Sequence, residues 1–379
     1  MSQNTRRILV FSTNYLPYIG GAEIALKEIM ERLSDIQFDL ITSRLDKSLP
    51  SRETSRNVNV YRVGNPWFLK KILLPKNFFP LSAFAKALSL SGQNKYDAIL
   101  ALQASQGAGA AWLYKWFYPK TPFILNVQEG KNLPNQGFLI NFFRKLIIKK
   151  ADVITVISAY LKDHILRLNK KTQLYVIPNG VNLTKFKISE MASNKDEKII
   201  ITVSRLVEKN GVADLIDAFN ILILKFKIEN LKLIVIGDGP LREALKFKIL
   251  NLKLGDKVTL IGSIPNDDLP QHLAKADLFV RPSLSEGLGV AFLEAMAVGV
   301  PVVATATGGI VDFLKDKETG LICQVNNPED LANKINLLLS DQNLRQAIIR
   351  NARKLIEEKY DWNIIAKQYE NIINSYTRL

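Results

Sequence analysis

Short apolar runs alternate with stretches of helical periodicity along almost the whole chain, and that alternation admits few folds. Ile8 to Ser12, Phe38 to Thr42, Ala98 to Leu102, Phe123 to Val127 and Val153 to Ile157 read as strands in the first half. Ile199 to Val203, Leu231 to Ile236, Val258 to Ile261, Leu278 to Val280 and Val302 to Thr305 do so in the second. Strands separated by helices pair in parallel, because each crossover brings the chain back to the same sheet edge. At 379 residues the chain exceeds what one ordinary α/β core organises, so the expectation is α/β with two Rossmann-like doubly wound domains. From Lys185 to Lys198 the apolar period lapses into Lys, Ser, Asn, Asp and Glu, which reads as a linker. The expected division is 1–185 and 186–360, with 361–379 as a last helix. Ligands of such sheets bind beyond the carboxyl ends of the strands, so two domains facing a central cleft would take their chemistry from strand-to-helix loops.

Charge separates the halves. Residues 1–185 hold 26 Lys+Arg against 11 Asp+Glu, whereas 186–379 hold 25 of each, so the net charge of +15 lies wholly in the first half. Residues 51–150 alone carry 15 basic and 3 acidic side chains, interleaved with Trp67, Phe68, Phe78, Phe79, Trp112, Trp116, Phe142 and Phe143. Basic and aromatic residues together imply an anionic surface as partner. No run approaches the roughly 18 apolar residues of a membrane span; Ala98 to Tyr114 is broken by Gln103, Ser105, Gln106, Gly107 and Gly109. The N-terminus enters its first strand without a signal-peptide pattern, so a cytoplasmic location is expected. Cys323 alone forms neither an internal disulfide nor a zinc cage.

The most informative segment runs from Arg281 to Thr305. A strand ends at Pro282, a glycine-containing loop spans Ser283 to Gly289, and a helix opens near Val290 and stops at Gly299. The backbone N–H groups of Leu288, Gly289 and Val290 then point past a helix N-terminus, where the macrodipole favours an anion such as a diphosphate. Glu286 in the loop and Glu294 in the helix put carboxylates beside that seat, and carboxylates accept from ribose and sugar hydroxyls. The alternative is a helix cap for Glu286 and a solvated surface position for Glu294.

These acids and their spacing resemble the E-x7-E signature of the GT4 family of retaining GT-B glycosyltransferases, and the resemblance runs from about Ile8 to about Asp330. It implies that Glu286 contacts the donor sugar, Glu294 the ribose, and the backbone at 288–290 the phosphates. Ser204-Arg205-Leu-Val-Glu-Lys209-Asn210-Gly211 is similar to the family's basic loop, in which Arg205 and Lys209 would neutralise the leaving diphosphate. The usual Lys before the glycine is Asn210 here, and Lys209 takes its role. Gly20 and Gly21, after the first strand, match the loop that in the family lies beside the donor's diphosphate and the acceptor. Gln128 stands where many members carry a histidine; a glutamine is no general base, and it would orient the donor sugar by hydrogen bonds. Pro178-Asn179-Gly180-Val181-Asn182 resembles P-N-G-V-D and reads equally well as a tight turn. Gly308-Gly309-Ile-Val-Asp312 resembles G-G-x-x-E and reads as a supporting loop. His164 and His272 fall on helices with a packing role.

The resemblance thus implies an acceptor-binding first domain, a nucleotide-sugar-binding second domain and a last helix that crosses back to the first. The expected reaction is retaining transfer of a hexose from a nucleotide-diphosphate sugar to a lipid-linked or cell-surface polysaccharide or glycolipid acceptor. No cofactor is expected, and no metal: a D-x-D triplet is absent, and Asn266-Asp267-Asp268 does not have its spacing. Peripheral contact with an anionic membrane is expected through Trp67 to Lys76, Phe78 to Lys86 and Phe138 to Lys150. The rival readings are a non-catalytic nucleotide-sugar-binding protein or an epimerase of the same fold. A nucleic-acid-binding protein is a further rival, disfavoured by the neutral second half and the lack of any nucleic-acid motif.

Overall fold

Apolar runs make most strands of two largely parallel sheets, and each expected run is a strand. The computed structural model describes residues 5–18, 20–64, 78–128, 138–169, 172–187 and 197–377. Two compact units emerge: residues up to Asn179 together with Trp362 onward, and Gly180–Asp361.

The first unit begins with β1 (Arg6–Phe11), α1 (Gly21–Arg32), β2 (Ile36–Ser43), β3 (Arg52–Ser55), β4 (Val58–Val63) and α2 (Phe79–Ser91). It continues through β5 (Ala98–Leu102), α3 (Gln106–Phe117), β6 (Phe123–Val127), α4 (Phe138–Lys150), β7 (Val153–Val156), α5 (Ala159–Leu168) and β8 (Gln173–Val176). The strands lie in the order β3-β4-β2-β1-β5-β6-β7-β8, parallel throughout except for the β3–β4 pair. Asp39, fully buried in β2, accepts from Tyr96 Oη at 2.6 Å and Asn59 Nδ2 at 2.8 Å and lies 3.0 Å from the Arg7 guanidinium. A buried carboxylate persists only when so surrounded.

The second unit runs β9 (Lys198–Val203), α6 (Val212–Leu224), β10 (Leu231–Ile236), α7 (Arg242–Asn251), β11 (Val258–Gly262), α8 (Leu269–Ala274), β12 (Leu278–Arg281), α9 (Val290–Ala297), β13 (Val302–Thr305), β14 (Leu321–Cys323), α10 (Pro328–Ser340) and α11 (Gln342–Lys359). Its sheet is β11-β10-β9-β12-β13-β14, all parallel, the strand order of a dinucleotide-binding Rossmann domain.

α12 (Trp362–Thr377) belongs to the first unit, where Trp362, Ile365, Ala366, Tyr369, Ile372 and Ile373 share a core with Ile8, Val10, Leu26 and Leu100. Asn126 Nδ2 donates to Tyr369 Oη, and Thr155 Oγ1 lies 3.3 Å from the same oxygen. The sequence suggests boundaries after 185 and 360, whereas the chain divides after Asn179 and Asp361. Val181 bridges to Asp361 and donates to the Tyr360 carbonyl at 2.7 Å, and Phe186 is buried, so 180–187 already pack with the second unit. Among the described residues no helix is long and apolar enough to cross a membrane.

Candidate functional site

In the second unit the strand order reverses between β9 and β12, and a doubly wound sheet opens its ligand crevice beyond the carboxyl ends of such a pair. The two loops that leave these strands are packed on one another. After β9 the chain forms a 3₁₀ turn at Glu208–Asn210 and enters α6 through Gly211 at φ +67°. A Cβ on Gly211 would lie 2.1 Å from the Pro282 carbonyl oxygen, so only glycine lets the loops approach this closely. Leu284 N–H donates to the Lys209 carbonyl at 2.7 Å, and Lys209 Nζ donates to the Ser285 carbonyl at 3.1 Å. Asn210 is buried and donates to the Arg205 carbonyl at 2.7 Å, so its side chain shapes the turn while that of Lys209 faces the β12 loop. Arg205 is exposed. Burial lowers the pKa of Lys209; Glu286 opposes that shift, and Arg281 and Arg205 reinforce it.

Glu286 accepts from Arg281 Nη2 at 2.8 Å and lies 3.6 Å from Lys209 Nζ. Its backbone is fixed from the other side. Gly309 N–H donates to the Glu286 carbonyl at 3.0 Å, and a Cβ on Gly308 would lie 1.9 Å from that oxygen. The expected supporting loop at 308–312 is thus a 3₁₀ turn closed directly onto Glu286.

α9 opens at Val290 with Gly289 at φ +84° as its N-cap. Among the described residues none of the N–H groups of Leu288, Gly289 and Val290 donates a hydrogen bond, which leaves three donors at a positive helix end. Glu294, one turn into α9, is buried rather than solvated. Burial pushes its carboxyl up to about 7, against the hydrogen bond from Asn266 and the charges of Lys185 and Arg281. Lys185 Nζ in turn donates to Asn266 Oδ1 and, at 2.8 Å, to Asp267 Oδ1. The structure therefore brings Glu286, Lys209, Glu294 and the N–H groups of 288–290 to one end of the sheet. It adds Arg281, Asn266 and Lys185, which no motif marks.

The remaining candidates belong to the first unit. Gly20 is the N-cap of α1, and its N–H donates to the Glu23 carboxylate at 2.9 Å; a Cβ on Gly21 would meet nothing within 4 Å. Gln128, just beyond β6, accepts from Asn179 Nδ2 at 2.8 Å, so the Pro178-Asn179-Gly180 turn is tied to it. β5 lies between the strands that carry Gly20–Gly21 and Gln128. His164 lies on α5 and His272 on α8.

Two doubly wound domains, one with paired basic and acidic loops at its switch point and an open helix N-terminus, define the GT-B class of glycosyltransferases. The chain belongs to the glycosyltransferases whose two halves are described by Glycosyltransferase Family 4, matched over residues 19–185, and Glycosyl transferases group 1, matched over residues 184–355. It is an enzyme of the hexosyltransferase class. It is 29% identical to an uncharacterised glycosyltransferase of Methanocaldococcus jannaschii, over 97% of both chains. It is 27% identical to the N-acetyl-alpha-D-glucosaminyl L-malate synthase of Bacillus anthracis, over 94% of both. Its fold matches that of the Anabaena HepE, solved in complex with UDP and glucose, with a TM-score of 0.77 at 21% identity over 98% of this chain and 100% of the other.

Proposed function

We propose that the enzyme transfers a hexose from a nucleoside-diphosphate sugar to an acceptor hydroxyl, with retention of configuration and without a metal ion. The observation that carries this reading is the cluster at the ends of β9 and β12: three N–H groups at the head of α9 that donate to none of the described residues, with Lys209 and Glu286 beside them. In it the N–H groups of 288–290 seat the diphosphate. Arg205 and Lys209 meet the charge that develops as the bond from the sugar carbon to phosphate oxygen breaks, the role a metal ion would otherwise fill. The departing phosphate oxygen takes the bonding electrons, the acceptor hydroxyl enters on the same face, and its proton passes to that departing oxygen. Glu286 is assigned no covalent role in this scheme; its carboxylate, paired with Arg281, accepts from the donor sugar's hydroxyls. Glu294 accepts from the ribose diol. A complex of HepE with UDP and glucose supports a uridine nucleotide as the first donor to try. The test is a thermal-shift screen of UDP, GDP, ADP and dTDP and their sugar conjugates. One nucleotide should raise the midpoint for the wild type and do so less for Glu294→Ala; a protein stabilised by none of them does not have this function.

The acceptor is proposed to be a lipid-linked or polysaccharide precursor at the cytoplasmic face of a membrane. Support comes from the surface of the first unit. Phe78 and Leu81 at α2, Trp116 and Phe117 on α3, and Ile140, Phe142 and Phe143 on α4 are all exposed. Phe84 packs on Phe117 and Lys150 Nζ lies 4.7 Å from the Trp116 ring centroid, so α2 and the end of α4 adjoin the exposed Trp116–Phe117 pair of α3. Large apolar side chains among cations suit the interface of an anionic bilayer. The expected contact at Trp67 to Lys76 lies outside the described residues. Vesicles of phosphatidylcholine with one-third phosphatidylglycerol should sediment the protein, and the Trp116→Ser/Phe117→Ser variant should weaken that binding. If vesicles leave it in the supernatant at low salt, a small soluble acceptor replaces the lipid, in keeping with the Bacillus relative named as an N-acetyl-alpha-D-glucosaminyl L-malate synthase.

A further inference from the structure

Arg281 ends β12, and its buried side chain touches several of the parts that make the site. Nη1 donates to the Val203 carbonyl at the end of β9 at 3.0 Å, Nε to Ser283 Oγ at 3.2 Å and Nη2 to Glu286 Oε2 at 2.8 Å. Its guanidinium carbon lies 4.1 Å from the centroid of the Phe292 ring in α9. A Cβ on Gly289 would come within 2.8 Å of Nη2, so the guanidinium lies directly against the first turn of α9.

We infer that Arg281 is a positioning residue that holds the Glu286 carboxylate in place for the donor sugar, an inference that rests on the donor site proposed above. A glutamate on a loop has three rotatable bonds and no preferred direction of its own. Lys209 tethers it at 3.6 Å, a charge contact longer than a hydrogen bond, and Gly287 N–H reaches the other oxygen at 3.2 Å. Arg281 supplies the short contact, and its own orientation is set by a backbone carbonyl, a hydroxyl and an aromatic face. A rigid planar fork transmits direction in a way that the point charge of a lysine does not. Glu286 is thereby fixed on both sides, its carbonyl by Gly309 and its carboxylate by Arg281.

The same contacts suit a merely structural strut between β9 and β12, and the experiment separates the two. Binding of bare UDP, GDP, ADP and dTDP, and release of nucleoside diphosphate from the glucose conjugate of whichever binds, are measured for wild type, Arg281→Met, Arg281→Lys, Glu286→Gln and the Arg281→Met/Glu286→Gln pair. Arg281→Met should lower turnover by about 10- to 100-fold while the affinity for the bare nucleotide stays within about threefold, because Glu286 meets the sugar and not the nucleotide. Arg281→Lys should recover part of the loss. Adding Arg281→Met to Glu286→Gln should cost less than about threefold, since the two act as one unit. Wild-type turnover in Arg281→Met, equal weakening of bare nucleotide and conjugate, or costs that simply multiply would each overturn the inference. If Glu286→Gln itself turns over normally, the donor-site reading fails and the inference falls with it. Loss in Glu286→Gln with full turnover in Arg281→Met removes the inference alone. Should Arg281→Met not fold, Arg281→Lys and Ser283→Ala carry the comparison, each expected to lose turnover before nucleotide affinity.

Discussion

Glu294 shows how burial turns a carboxylate into a group that titrates near neutrality. Its folded value of about 7 stands above the ordinary glutamate value of 4.5, so the unfolded chain ionises it first as pH rises. The native state is therefore favoured most below about 4.5 and loses that advantage as pH climbs through about 7. Glu294→Gln should leave stability near pH 4.5 little changed and raise it at pH 8 by on the order of 3 kcal/mol, read from urea melts at the two pH values. A difference that does not vary with pH would count against the burial argument. If ribose hydroxyls bond to the ionised carboxyl, nucleotide binding should also release a proton near neutral pH, visible in calorimetry as a heat that depends on the buffer. Gly308→Ala is a second test at this scale: a Cβ 1.9 Å from the Glu286 carbonyl must displace that loop, so donor turnover should fall well before global stability does. The sequence shows Glu286 and Glu294 because they flank a glycine loop that opens a helix and because their spacing resembles the E-x7-E signature. It does not show Arg281, because an arginine closing a strand looks the same whether its side chain turns outward or inward to a carboxylate five residues on.

Among elements, legibility follows burial. Strands enclosed on both faces, such as β1, β5 and β12, are continuous apolar runs and are read directly from the sequence. β3, with sequence Arg-Glu-Thr-Ser, and β8 lie at the sheet edges and are largely exposed, so no apolar pattern announces them. β4 is hidden for another reason: its inward Arg62 is satisfied by Glu53 of β3 at 2.9 Å, a pairing that exists only after the antiparallel strands meet. The periodic stripe of α12 says that the helix packs on something, and only the structure gives Asn126 and Thr155 as the anchors of Tyr369. Tyr369→Phe keeps the ring and removes the hydroxyl between them. It should destabilise the first unit by about 1–2 kcal/mol in thermal unfolding, with no change expected in the melting of the second.

Over the whole molecule, charge and chain path divide differently. The basic excess resides in the first half of the sequence and the proposed diphosphate seat in the second, so vesicle binding should weaken as salt rises from about 0.1 to 0.5 M while nucleotide affinity changes far less. The second unit is one continuous stretch, but the first is closed by a helix some 180 residues away from the rest of it. Deleting 362–379 should expose the faces of Leu26, Ile29 and Leu100 and make the first unit sensitive to limited proteolysis while 180–361 stays resistant. That discontinuity also orders the birth of the protein on the ribosome. Emerging sequence usually completes its leading domain first, but here the leading domain waits with an open seam until the trailing one has been made and residues 362–377 have cleared the exit tunnel. The nascent first unit is therefore the stage most in need of a chaperone, and translation slowed just before residue 362 would prolong it.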